Sequence, residues 1–272
     1  MSQKEINNRP YTLVAYIKRL KAYGFLLRSL ANRELKVKYS RAVLGVGWMI
    51  IQPLVAVVIY SIFFNYLIKI DTKNIPYIQF VFSGLVIWYI FTGIVSKGSV
   101  ALLESTELIS KVSFPRLIII VAKSFPVLIE SLILFLVLIV MILINQIPLG
   151  LNILIALFFI LEAVLFSLSV AILLSILIVR FRDFLHILPF IMNFGIWLTP
   201  VFYPVSIIPA QFQIYIKYLN PLATSVEGLR GALFEGAGVS VGAILVFVAS
   251  LFLLFISLVF FIKFEKQIVE RL

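Results

Sequence analysis

Cysteine is absent from the 272 residues, and histidine occurs once, at His186. The first absence excludes disulfides and thiolate-bound metals and leaves the redox compartment open. The second removes the usual general base. With no HExxH, no GxSxG and no His or Cys pair at metal-ligand spacing, nothing points to a hydrolase or a metal site. His186 follows Arg182-Asp183 at a helix mouth and reads as a helix-end residue. No GxxxxGK[ST] occurs either, so the chain has no P-loop of its own. Catalytic residues, metal ligands and cofactors are therefore not expected in this chain. Charge is scarce too, at 13% of residues, and uneven: 12 Asp and Glu against 23 Lys and Arg, a net +11.

Hydrophobic residues make up 62% of the chain. A soluble domain has about 45–50% apolar and about 25% charged residues, so the expected class is an all-α integral membrane protein. The first apolar run starts near Val43, behind a long basic segment without a small-residue cleavage site, and does not read as a secretory signal. A bilayer core of ~30 Å needs about 20 apolar residues per helix. Six segments qualify: Leu44–Ile68, Tyr77–Val95, Leu117–Ile144, Leu151–Val179, Phe184–Phe202 and Val239–Ile262.

About ten of the basic residues precede Ala42, beside the first span. Anionic lipid, or a lipid-linked anion, is a more economical partner for them than nucleic acid. One set of connections collects this N-terminus with Lys97, Lys111, Arg116, Arg180, Arg182, Lys263, Lys266 and Arg271. The other has only Lys69, Lys73, Lys217 and Arg230. The positive-inside rule then puts both termini in the cytoplasm.

Between residues 11 and 32, Leu13, Ile17, Leu20, Gly24, Leu27 and Ala31 share one helical face, flanked by Lys18, Lys21 and Arg28. This pattern predicts a helix in the membrane interface with snorkelling lysines, or one packed on the protein itself. The fifth span contains Pro189 and Pro200, and Pro204 follows. Residues 204–236 then hold two helical stripes broken at Asn220-Pro221, as re-entrant gate elements or as helices lying on the outer surface. The connection Ser96–Arg116 predicts a short helix over residues 102–111, stopped by Pro115, as a peg for a cytoplasmic partner or a helix resting on the membrane.

Glu130 and Glu162 fall within spans, where a charge costs roughly 2.5–3.5 kcal/mol on insertion scales. They serve either as an ion relay in a secondary transporter or as structural groups bonded to a neighbouring helix, for instance to Ser131, Ser167 or Ser169. Among the aromatics, Tyr60, Phe63, Phe64, Tyr66, Trp197, Phe202 and Tyr203 gather at the outer ends of spans one and five. They form either an interfacial belt or the lining of a passage tolerant of sugar faces.

Arg33-Glu34-Leu35-Lys36-Val37-Lys38-Tyr39, then Arg41, Leu44-Gly45 and Trp48, form a basic junction running into the first span. Lys111-Val112-Ser113-Phe114-Pro115-Arg116, Arg180-Phe181-Arg182-Asp183, Asn220-Pro221-Leu222 and Glu227-Gly228-Leu229-Arg230 follow in order. Together they resemble the permease subunit of ABC-2-type polysaccharide exporters, the Wzm-like family that handles O-antigen, teichoic acid and capsule. The likeness covers nearly the whole chain, as one transmembrane domain of residues 1–272. Glu34 stands for the usual Asp, Lys38 for an Arg, and Arg41 where Ser is common; Lys38 cannot form a planar bidentate contact with phosphate.

The resemblance implies a homodimer with two copies of a cytoplasmic ABC ATPase, which would hold the ATP and Mg. The setting would be the bacterial cytoplasmic membrane, and the cargo an undecaprenyl-pyrophosphate-linked glycan. A smaller lipid or a drug is the alternative cargo. Arg33, Lys36, Lys38 and Tyr39 would form a cytoplasmic gate meeting the pyrophosphate. Glu104, Glu107, Lys111, Pro115 and Arg116 would couple to the ATPase, and Asn220, Pro221, Glu227 and Arg230 would belong to the outer gate.

Overall fold

Long unbroken apolar runs have one solution away from water, a helix that satisfies every backbone group within itself. The structure, a computed structural model, describes residues 12–40, 47–67, 72, 75–148 and 150–271, and all regular elements among them are helical. They are α1 (Leu13–Ala22), α2 (Gly24–Tyr39), α3 (Gly47–Tyr60), α4 (Tyr77–Glu104), α5 (Thr106–Lys111), α6 (Leu117–Ile144), α7 (Asn152–Arg180), α8 (Phe184–Leu198), α9 (Ala210–Leu219), α10 (Pro221–Phe234) and α11 (Val241–Arg271). A π-helical stretch, Ser61–Leu67, continues α3, and a 3₁₀ turn, Val205–Ile207, follows α8.

Among the described residues, four helices are long and apolar enough to cross a bilayer: α4, α6, α7 and α11 through Ile268. At ~1.5 Å per residue each exceeds 40 Å, roughly, against a core of ~30 Å. The other two expected spans hold shorter apolar helices, Ile50–Phe64 and Phe184–Leu198. Residues 199–202, read as the end of the fifth span, are not helical, because Pro200 cannot donate to the ladder and Thr199 already turns extended.

α4 is the hub. It packs against α7, α6 and α10, and 78% of its most apolar window is enclosed. Small residues let its neighbours approach: a Cβ on Gly98 would stand 2.9 Å from the Ala171 Cβ of α7 and 3.2 Å from Ser124 Oγ of α6. α11 closes the far side of α7. A second apolar cluster sits at the basic end of the bundle, where Tyr16, Leu102, Ile109, Phe114, Ile118 and Phe261 meet.

The N-terminal stretch expected as one helix over residues 11–32 divides at Tyr23 and runs further, as α1 and α2, so the basic motif Arg33–Tyr39 is helical. Both helices pack on the protein, α1 against α11 and α2 along α6. Likewise, Leu102–Glu104 of the expected 102–111 helix form the last turn of α4, and α5 begins after a break at Ser105.

Candidate functional site

The basic motif occupies the last turns of α2, and α6 decides what each of its side chains does. Lys123 of α6 donates to Glu104 Oε2 at 2.6 Å and lies 3.8 Å from Glu34 Oε2 of α2. One helical turn later on α2, Lys38 Nζ and the Tyr39 hydroxyl both donate to one oxygen, Oε1 of Glu130. Pairing Glu34 with Lys123 and Lys38 with Glu130 makes the two helices run in the same direction. It also carries Lys38 and Tyr39 to the middle of α6, roughly 20 Å from its basic end. Burial and the Glu130 bond together raise the Tyr39 pKa well above the usual phenol value, so its proton stays on oxygen.

Lys36 points away from α6, and Arg33 stands at the edge between that open face and α6. With Phe25, Arg28, Ser29, Asn32 and Val37 they line an open groove of about 610 Å³ along the outer face of α2. Phe25 is 88% exposed there. The four residues expected at the gate thus divide into an exposed cationic pair, Arg33 and Lys36, and an engaged pair, Lys38 and Tyr39. Arg41, Leu44 and Gly45 of the motif lie outside the described residues.

Glu130 was expected to bond to a neighbouring helix, for instance through a serine, or to serve a relay. Ser131 instead donates to Val127 O, Ser167 to Ala163 O and Ser169 to Leu165 O, each satisfied within its own helix, as serines in apolar helices commonly are. Glu130 is held by α2. Glu162 is fully buried in α7 and faces the Ser225 hydroxyl of α10, the polar group set against its carboxylate.

At the basic end, a cleft of about 520 Å³ opens between α2, α5 and α6, with Arg33, Glu104, Glu107, Lys111 and Lys123 in its walls. Glu107 and Lys111 are exposed on α5. Pro115 is buried, beside a fully buried Phe114. The Arg116 guanidinium folds back onto Phe114 O, with its carbon 5.6 Å from the Phe114 ring centre. Of the expected coupling residues, Glu104, Glu107 and Lys111 therefore present a surface, while Pro115 and Arg116 shape the loop behind it. Sequence reasoning missed the group that ties this end together. Glu265 Oε1 of α11 accepts from Arg116 N–H at 2.7 Å and from the Tyr16 hydroxyl of α1 at 3.1 Å. An acid late in an apolar helix was a visible signal, but its partners are far away in sequence.

At the opposite end, Phe202 is the centre of an aromatic box. Its ring lies 3.9 Å from Tyr60, 5.6 Å from Phe64 and 5.5 Å from Trp197, centre to centre. Tyr203 donates to Trp197 O at 2.7 Å, and Tyr77 to Phe202 O at 2.9 Å. Phe202 is 0% exposed, so it is a packing residue here and lines no passage; Phe63 turns outward from the box. The side chain of Tyr66 lies outside the described residues.

Beside the box, Arg230 of α10 is buried and charged. Its guanidinium donates to Phe80 O at 3.0 Å, Pro200 O at 2.7 Å and Val201 O at 2.7 Å, and pairs with Glu227 at 3.1 Å. The Pro200 and Val201 carbonyls lie just past the end of α8, where no helix bond serves them, so one fork satisfies both and takes Phe80 O of α4 as a further acceptor. Asn220 caps α10 through its side-chain oxygen to Leu222 N–H at 3.1 Å. Its amide reaches Leu198 O at 3.3 Å and Thr199 Oγ1 at 3.1 Å. Pro221 takes the first helical position of α10, where no N–H is needed.

The sequence is similar to those of known proteins. O-antigen export system permease protein RfbA of Myxococcus xanthus is 28% identical over 227 residues, 82% of this chain and 85% of that protein. Two proteins of the same name from Klebsiella pneumoniae are similar as well. One is 26% identical over 212 residues, 78% of this chain and 81% of its own length; the other is 25% identical over 248 residues, 91% and 95%. The profile of one family, ABC-2 type transporter, matches residues 26–234, a stretch that contains α2 with its basic motif, the helical hub and α10 with Arg230. This chain is an integral membrane protein of the ABC-2 type transporter family.

Proposed function

We propose that this chain is the permease subunit of an exporter that moves an undecaprenyl-pyrophosphate-linked, O-antigen-like polysaccharide across the bacterial cytoplasmic membrane. Two copies would cross the membrane six times each, with α3 and α8 as the short spans and both termini in the cytoplasm. Two copies of a cytoplasmic ABC ATPase would bind ATP and Mg and seat on α5 through Glu104, Glu107 and Lys111. Arg33, Lys36, Lys38 and Tyr39 would meet the pyrophosphate, and the α9–α10 segment with Asn220, Pro221, Glu227 and Arg230 would close the outer end.

The observation that carries this reading is the extended likeness to O-antigen export permeases, which covers 82% and 91% of the chain in two of them. The basic motif supplies the matching chemistry, since charge-assisted bonds to phosphate oxygens are among the stronger hydrogen bonds. An ion-coupled transporter using Glu130 and Glu162 draws no support from the geometry. Glu130 is engaged by Lys38 and Tyr39, and Glu162 is fully enclosed.

The test is depletion of the chain in its native cell, combined with affinity purification from the membrane. An ABC ATPase should co-purify, and surface glycan should fall while lipid-linked glycan accumulates inside. Undiminished surface glycan after depletion, or export in the absence of any ATPase, rejects the proposal.

A further inference from the structure

The pairing of Lys38 and Tyr39 with Glu130 is unusual in three respects. Two donors of different kinds converge on a single carboxylate oxygen. The acceptor belongs to the apolar middle of a long helix. And the pair is not sealed: the Lys38 side chain is 43% exposed and that of Glu130 20%. An accessible pair, closed on neither side, suits a contact that must be exchanged.

The donor set says what it would be exchanged for. An ammonium and a phenol proton aimed at one point fit an oxygen of a phosphate as well as that of a carboxylate. Arg33 and Lys36 stand on the adjoining exposed face of the same helix, with open space before them. A dianionic or trianionic headgroup gains more from Lys38 than a single carboxylate does, and it recruits these two cations besides. Behind Glu130 lies a small cavity of about 110 Å³, with Gln52, Tyr89, Thr92 and Ser131 in its walls. Val127, Leu134 and Pro53 also line it, and the Gln52, Tyr89 and Thr92 side chains give the carboxylate polar neighbours to turn toward when it is released.

Resting on the proposed export of a diphosphate-linked cargo, we infer that Glu130 is a built-in stand-in for the cargo's phosphate. In the resting state its carboxylate occupies the position between Lys38 and Tyr39 and clamps α2 to α6. An arriving diphosphate displaces it, frees the end of α2 from α6, and so couples recognition of the headgroup to opening of the gate. Glu130 is a positioning residue in this scheme. It excludes ligands that cannot outbid one carboxylate, which explains how an accessible cationic site stays clear of singly charged phospholipid headgroups.

The experiment uses the full permease with its ATPase in nanodiscs of zwitterionic lipid, titrated in one arm with a polyprenyl diphosphate and in another with phosphatidylglycerol. Glu130→Gln should bind the diphosphate at least about tenfold more tightly than wild type. It should also admit phosphatidylglycerol, which wild type refuses. Lys38→Gln in the Glu130→Gln background should lose that gain. As a second measurement, the natural absence of cysteine allows paired spin labels at Val37→Cys on α2 and Leu132→Cys on α6, both exposed positions. Their separation should broaden on addition of diphosphate to wild type, and without ligand in Glu130→Gln. Equal or weaker diphosphate binding by a folded Glu130→Gln complex overturns the inference and leaves the export proposal standing. If the variant does not assemble, an unchanged label distance on adding diphosphate to wild type overturns it equally. No diphosphate binding by wild type or variant overturns both.

Discussion

Arg230 shows how one side chain can replace several backbone bonds. The chain between α8 and α9 bends twice near Pro200, and its carbonyls at Pro200 and Val201 face into the protein. A planar fork with five N–H donors serves them together with Phe80 O, while Glu227 balances the charge. The guanidinium carbon also lies 3.4 Å from the centre of the Phe80 ring, a close cation–π contact. Burial lowers its pKa to about 10 against the opposing pull of Glu227, and it stays protonated at neutral pH. Arg230→Ala should therefore cost about 3–5 kcal/mol, the range for breaking a buried charge network. Arg230→Lys should recover only part of it, because an ammonium cannot reach both sides of the bend. Thermal unfolding of the purified protein in detergent reads the difference, and an unchanged midpoint for Arg230→Ala contradicts this role.

Among the elements, α10 is fastened and α9 is not. Phe159 of α7 meets Gly228 of α10, and Glu162 meets Ser225, so the two helices run antiparallel in tight register. A Cβ on Gly228 would stand 2.1 Å from the Phe159 ring. By contrast, α9 buries none of its residues fully. Gly228→Ala should push α10 off α7 and destabilise by about 1–3 kcal/mol, the usual range for overpacking. Phe159→Leu in the same chain should return part of that loss, and a double-mutant cycle in chemical denaturation should show a favourable coupling of about 0.5–3 kcal/mol. Strictly additive effects would mean that the two helices are not in contact there. A comparable tie at the basic end, Glu265 with Tyr16 and Arg116, joins α1, α11 and the loop after α5, and gives any force applied at α5 a route to the N-terminal helices.

For the molecule as a whole, the uneven charge predicts orientation. The end that bears α5 and Arg180 collects the cations, and the end that bears α9 has few, so α5 should face the cytoplasm. The cysteine-free background makes the check direct. A single cysteine at Glu107 on α5 should react with a membrane-impermeant maleimide only in inverted vesicles, and one at Gln211 on α9 only in intact spheroplasts; both positions are exposed. Labelling of both sites from one side contradicts the orientation.

Composition and periodicity were enough for an all-helical membrane protein. Long apolar runs admit no other backbone solution, and the motif order from Arg33 to Arg230 was enough for the family. Helical period also identified α9 and α10 and the break at Asn220-Pro221, because proline and capping residues act on their immediate neighbours. What helical period cannot supply is the partner of a side chain on another helix. It reports which face a residue occupies and nothing about which helix covers that face. Glu130 therefore read as a relay or as bonded to some neighbouring helix, with serines as the nearest examples, whereas its donors are 91 and 92 positions away on α2. Phe202 read as a lining residue, although three distant rings enclose it. The division of one basic motif into an engaged pair and an exposed pair belongs to tertiary structure alone, because it depends on α2 climbing along α6 rather than lying apart from it.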